Sequence, residues 1–134
     1  MLVLDASALA EYVVASDPGR AVADLLGRSG ASVHVPHLAM IETVSVLRAW
    51  VRRGELTAER AAAALEDLAD LPAQRWPGEP LLGRVWELRD NLSPYDATYV
   101  ALAEMIGADL VTLDRRLARA LAGATSGLQV ITPA

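Results

Sequence analysis

The sequence predicts an α/β fold: a three-layer α/β/α sandwich around a mostly parallel central sheet of about five strands. Three observations carry that expectation. Short apolar runs alternate with longer helical patterns from end to end, as in strands joined by covering helices. The runs are continuous in hydrophobicity, which suits strands buried on both faces. The 134 residues are 53% hydrophobic, enough for one well-filled core, and hold no repeats, low-complexity tracts or linkers.

Leu2-Val3-Leu4 gives the first strand, over residues 1–4. Ser7 is expected to cap a helix reaching about Ala15. Asp17 is expected to cap the next, with Pro18 in its first turn, ending near Gly27. Gly30-Ala31 turns the chain into a strand at 32–35. A long helix runs from Pro36 to Gly54, with Leu38, Ile41, Val44, Leu47, Ala49 and Val51 on its apolar faces. Arg48, Arg52 and Arg53 favour the negative end of its dipole. Thr57 caps a helix to about Leu71, with Glu59 in the first turn. Residues 73–76 read as an edge strand ended by Pro77, and 79–91 as a helix. Ser93-Pro94 opens another helix, which Gly107 stops. A strand at 109–113, a helix at 114–122, a loop at 123–127 and a last strand at 128–131 complete the order.

The net charge is −5 and the pI about 4.9, without the basic balance of a strong nucleic-acid binder. The absence of cysteine excludes disulfides, zinc–thiolate sites and thiol nucleophiles. All basic residues are arginine and none is lysine, a bias that suits a high-GC genome. A mean hydropathy of +0.28 is high for a soluble monomer, so some apolar surface is expected to meet a partner. Asp5 and Glu11 break the first apolar run, so no signal peptide is expected. No apolar stretch is long enough for a bilayer. The expected compartment is the cytoplasm, without membrane contact.

Four carboxylates stand where packing does not ask for them. Asp5 and Asp114 end strand-like runs, Asp96 lies just inside the helix opened by Ser93-Pro94, and Glu42 sits within an apolar helix. Ligands of parallel α/β sheets bind beyond the carboxyl ends of the strands, where Asp5 and Asp114 are expected. An ionised carboxylate taken from water is costly unless it is paired or binds a metal, and four together make an oxygen-rich site for Mg2+ or Mn2+. Asp5 and Asp114 also read as helix caps, and Asp96 as a first-turn acid. Ser7 is the better placed cap beside Asp5. Glu42 has no such excuse: Leu38, Ala39, Thr43, Val44 and Val46 surround it, and no basic residue lies within a turn. The remaining acids read as surface or turn residues. His34 and His37 lack a third imidazole for a zinc site of the usual histidine type.

The motifs Asp5-Ala6-Ser7-Ala8-Leu9, Met40-Ile41-Glu42, Ser93-Pro94-Tyr95-Asp96-Ala97-Thr98-Tyr99 and Thr112-Leu113-Asp114-Arg115-Arg116-Leu117 resemble the PIN domain, and more narrowly the VapC toxins of bacterial toxin–antitoxin pairs. Their order and separation fit, and the resemblance covers essentially the whole chain, implying a single PIN domain over 1–134. It implies a metal-dependent endoribonuclease in which Asp5, Glu42, Asp96 and Asp114 are catalytic and hold one or two Mg2+ or Mn2+ ions. Water attack on RNA (tRNA, rRNA or mRNA) would leave a 5′-phosphate and a 3′-hydroxyl. Ser7 and Thr112 match polar positions that orient a carboxylate or a water. Arg115, Arg116 and Arg119 stand as phosphate contacts or, equally, as solvated helix-face arginines. The resemblance also implies a homodimer and a VapB-like antitoxin that buries apolar surface and covers the acidic pocket. Trp50, Val51 and Trp86 are interface residues or ordinary core.

Receiver domains and haloacid-dehalogenase-type phosphatases resemble the chain in placing acids at strand ends, but they use a lysine that this sequence lacks. Dinucleotide binding lacks its glycine-rich turn after the first strand. The remaining alternative is a catalytically silent PIN-like binding module, which Mn2+ would not stabilise.

Overall fold

Strand β1 (Leu2–Leu4) lies at the centre of the sheet, because the chain leaves it in one direction and returns on the other side. The structure, a computed structural model, describes residues 1–123 and 127–134. β2 (Val33–Pro36) and the edge strand β3 (Ala73–Trp76) flank β1 on one side, β4 (Asp109–Val111) and β5 (Val130–Ile131) on the other. Every neighbouring pair is parallel, so the sheet is wholly rather than mostly parallel among the described residues. Val3 pairs with both His34 and Leu110, and Leu4 with Val111. The carboxyl ends of β1 and β4 therefore stand side by side where the strand order reverses, the crevice in which open parallel sheets bind ligands.

Right-handed crossovers decide the layers. The steps from β1 to β2 to β3 run one way and carry α1 (Ala6–Val14), α2 (Asp17–Ser29), α3 (Leu38–Arg52) and α4 (Ala58–Ala69) onto one face. The return to β4 and on to β5 runs the other way. It puts α5 (Leu82–Glu87), α6 (Pro94–Ile106) and α7 (Arg115–Ala122) on the opposite face. The contacts agree: α1 packs on α2, α3 and α4, whereas α6 packs on β1, β2, β4 and α5. The core between the layers is fully buried, with Val3, Leu4, Leu9, Tyr99, Leu102, Leu110 and Val111 among its larger side chains. Gly19 lets α2 approach α1, since a Cβ there would lie 1.9 Å from the Glu11 carbonyl oxygen.

Several boundaries differ from the sequence expectation for local reasons. Asp5, not Ser7, caps α1, because the Ser7 hydroxyl is drawn across to the β4–α7 turn. Ser16, not Asp17, caps α2, accepting from the Gly19 N–H, which leaves Asp17 in the first turn. Pro36 closes β2 and α3 starts at Leu38. Residues 79–91 do not form one helix. A 3₁₀ turn, Glu79–Leu81, precedes α5, and beyond Glu87 the amides of Arg89 and Asn91 bond three residues back. Pro80 and Gly83 weaken the first part of that stretch. β4 ends at Val111: the Thr112 N–H still reaches the Ile131 carbonyl, but the two amides after it go to hydroxyls, Leu113 N–H to Ser7 Oγ and Asp114 N–H to Thr112 Oγ1. The loop expected at 123–127 lies mostly outside the described residues, and β5 is two residues long.

Candidate active site at the ends of β1 and β4

Asp5 follows the last residue of β1, and its N–H continues the ladder to the Val111 carbonyl. That places its carboxylate over the strand ends, 4% exposed. Oδ1 accepts from the Ser7 hydroxyl at 2.6 Å and the Ala8 N–H at 3.0 Å, and Oδ2 from the Thr112 hydroxyl at 2.5 Å. Each hydroxyl faces two ways: Ser7 Oγ accepts the Leu113 N–H at 2.9 Å, and Thr112 Oγ1 the Asp114 N–H at 3.0 Å. Two neutral side chains thus pin the β4–α7 turn to the start of α1 and aim only donors at Asp5. Burial nevertheless pushes the Asp5 carboxyl above its ordinary range; the three hydrogen bonds oppose it and Asp114 adds to it.

Asp114 caps α7, its Oδ1 accepting the Arg116 and Leu117 amides. Asp96 enters from the first turn of α6, whose cap Ser93 accepts the Asp96 N–H. Burial, then the charge of Asp114, hold its carboxyl above the usual range, and Arg116 pulls the other way. Glu42 comes from α3, half-buried, its Oε1 accepting the Tyr99 hydroxyl at 2.7 Å. Its carboxyl is raised by burial first and then, against the Tyr99 bond, by the charges of Asp96 and Asp5.

The structure brings all four expected acids together. Asp5 feels Asp114, Asp114 raises Asp96, and Asp96 and Asp5 both raise Glu42, closing a ring of like charge from four elements. Such a ring carries more negative than positive charge, Arg116 acting only on Asp96 among the described residues, and its all-oxygen donors match a hard divalent cation. The carboxylates form a loose ring: among the described residues no group of three or more His, Asp or Glu stands close enough to hold an ion ready-made. Asp96 and Asp114 line one polar cleft with Asn91, Ser93 and Arg116. Glu42 lines a more apolar one with Leu38, Ile41, Ser45 and the exposed Tyr95.

Of the three arginines, Arg116 stands in the acid cleft, Arg115 lines a separate cleft with Glu11 and Asp17, and Arg119 is exposed on α7. His34 uses both ring nitrogens, Nδ1 accepting the Trp76 indole N–H at 3.1 Å and Nε2 paired with the Ser32 hydroxyl at 2.8 Å. Val51 lines an apolar groove between α3 and α4 with Val44, Leu47, Ala61 and Leu65, rimmed by Arg48 and Arg52. Trp50 packs partly buried against the core. Trp86 is 67% exposed, with the Arg89 guanidinium 4.5 Å over its ring. Tyr99 is the site residue that sequence reasoning missed. A tyrosine three residues after Asp96, on the same face of an apolar helix, was the available signal, since a buried phenol needs a partner.

The PIN domain model matches residues 2–122. Ribonuclease VapC12 of Mycobacterium tuberculosis is 37% identical over 119 residues, covering 89% of this chain and 91% of its own. Ribonuclease VapC9 of the same organism is 40% identical over 117 residues, covering 87% and 88%. Among solved structures, PAE2754 from Pyrobaculum aerophilum superposes with a TM-score of 0.70 at 25% identity, covering 96% of this chain and 82% of that one. A toxin–antitoxin complex from Klebsiella pneumoniae gives 0.66 at 18% identity, covering 100% and 98%.

Proposed function

The chain belongs to the PIN domain family, and from that membership we propose that it is an Mg2+- or Mn2+-dependent endoribonuclease, the toxin of a VapBC-type toxin–antitoxin pair. One observation carries the reading: four carboxylates from four elements form a loose ring at the strand-order reversal, where burial and neighbouring charge hold Asp5, Glu42 and Asp96 above the ordinary carboxyl range. Such an arrangement is unfavourable unless a cation completes it. The relatives' names supply the ribonuclease, and residues 1–134 are taken as one domain.

Asp5, Glu42, Asp96 and Asp114 would hold the ion. When bound, it makes water more acidic and offsets charge building on the phosphate and the leaving oxygen. The chain's own residues do the rest. Ser7 and Thr112 keep Asp5 in one rotamer and present it as an acceptor. Asp114 holds the first turn of α7 in place, which sets Arg116 over the cleft to meet a phosphate oxygen. Among the described residues no histidine lies in the ring to move a proton, so exchange with solvent through the open clefts serves that role.

The proposed partners are RNA, a second copy of the chain, and a VapB-like antitoxin, which the toxin–antitoxin complex among the fold neighbours supports. An antitoxin with a basic side chain would meet the acid ring, and its apolar surface the α3–α4 groove. Among the described residues no helix is long and apolar enough to cross a membrane. We place the protein in the cytoplasm, with its RNA.

The test is cleavage of pooled tRNA and ribosomal RNA by partner-free protein in Mg2+, Mn2+ or EDTA, beside Asp96→Asn. Discrete cuts that need metal and vanish in the variant are expected. Equal cutting by the variant sinks the assignment of Asp96. The loose spacing of the carboxylates favours one second reading, a silent binding module. It predicts no cutting and no rise in melting temperature with Mn2+.

A further inference from the structure

We propose that Tyr99 is a positioning residue, the strut that fixes the Glu42 carboxylate in the acid ring for cation binding; this rests on the metal-nuclease reading above. The Tyr99 ring is 1% exposed in α6, and its hydroxyl donates to Glu42 Oε1 at 2.7 Å. This bond ties α3, through Glu42, to α6. Tyr99 itself is one turn along α6 from Asp96.

Glu42 needs such a tie more than its companions do. Asp5 is held by three donors and Asp114 by two amides, each on a short side chain. Glu42 has one more rotatable bond and extends from a half-buried position among apolar neighbours. Among the described residues the Tyr99 hydroxyl is its one hydrogen-bond donor, and Oε2 accepts none. Tyr99 thus fixes Oε1 and leaves Oε2 without a protein donor among the described residues, the oxygen that Glu42 would offer most freely to a cation. Packing does not require the hydroxyl, because a phenylalanine ring fills the same volume. Partners that orient metal ligands commonly change metal affinity 10- to 100-fold when removed.

The test is Tyr99→Phe in the full chain. Mn2+ affinity is read from the paramagnetic resonance of free Mn2+, beside melting in EDTA and the metal dependence of RNA cleavage. The expected result is Mn2+ binding weaker by about tenfold with the metal-free protein still folded. Cleavage should return toward the parent rate at saturating metal, so the change falls on half-saturation. Combined with Glu42→Gln, the same substitution should shift Mn2+ affinity no further. Glu42→Asp, which withdraws the carboxylate from the hydroxyl while keeping its charge, should reproduce the loss and serves if Tyr99→Phe does not fold. Parent-like Mn2+ affinity in folded Tyr99→Phe overturns the inference, as does an equal loss when Glu42→Gln is already present. A parent protein that binds no Mn2+ overturns instead the reading on which it rests.

Discussion

Thr112→Val isolates the hydroxyl bridge on which the acid ring depends. Thr112 is fully buried, and valine replaces it with nearly the same shape, so packing is preserved while the hydroxyl is lost. Two short bonds go, the donation to Asp5 Oδ2 at 2.5 Å and the acceptance of the Asp114 N–H at 3.0 Å, together with a longer contact to Ser7 Oγ at 3.4 Å. A hydrogen bond to a charged group is worth about 1.5–3 kcal/mol, and an orphaned backbone N–H costs about 1–3 kcal/mol when buried. Asp114 is half-buried, so its amide can recover part of its loss from water. The sum is about 3 kcal/mol, and at roughly 3–4 °C per kcal/mol for a domain of this size the melting temperature in EDTA should fall by about 10 °C. Thr112→Ser keeps both bonds and should cost about 1 kcal/mol for the missing methyl group. The valine variant has a second signature. The Thr112 bond lowers the Asp5 pKa against burial, so without it Asp5 ionises only at higher pH. The acid limb of Mn2+ binding should then move to higher pH. A valine variant that melts no lower than the serine one, or an acid limb that moves down, would refute the bridge.

Three further predictions test charge and packing. In EDTA, Asp96→Asn should raise the melting temperature by a few degrees while abolishing cleavage; the upward shift of Asp96 shows that burial and the charge of Asp114 oppose its ionisation more than Ser93 and Arg116 favour it. Asp5, Glu42 and Asp96 all have raised folded-state pKa values, so their contribution to stability is full below the unfolded values near 4 and is lost as pH rises through the raised ones. Melting in EDTA should accordingly worsen along that rise and the stabilisation by Mn2+ should grow, and a metal effect independent of pH would count against the ring. Gly19→Ala puts a Cβ 1.9 Å from the Glu11 carbonyl oxygen, and chemical denaturation should register a loss of about 2–4 kcal/mol as α2 is forced from α1.

The order of elements was legible because strands buried on both faces write themselves as short apolar runs, and because Thr57 and Ser93 sit directly before their helices. What could not be read was which of two neighbouring side chains would do a given job. Asp5 and Ser7 both suit a cap, and the choice falls to Asp5 only because β4 ends beside β1, where the Leu113 amide claims the Ser7 hydroxyl 106 residues away. Local sequence holds no trace of that demand. The stretch 79–91 failed for the opposite reason: its periodicity is helical, but Pro80 and Gly83 decide locally against a single continuous helix. Among the site residues, Glu42 announced itself by having no partner in reach. Tyr99 hid because an aromatic ring in an apolar helix already has a sufficient explanation in packing.

The residues around the acid ring explain why it can be both stable enough to fold and poised for a cation. A protein that only needed these carboxylates ionised could have paired them with arginines, and twelve are available. Instead the donors to Asp5 and Glu42 are neutral: two hydroxyls, an amide and a phenol. Neutral donors fix the direction of a carboxylate without cancelling its charge, so the field of the ring remains to be answered by an ion. Arg116 is set to one side, against Asp96, where it softens one charge and leaves the other three. The unfavourable energy held at the strand ends is thus tolerated because the core beneath it offsets it, and it is the same energy that binding a divalent cation would release. Removing one charge of the ring, as in Asp96→Asn, should therefore stabilise the metal-free fold and weaken metal binding together, because the ring then asks less of an ion.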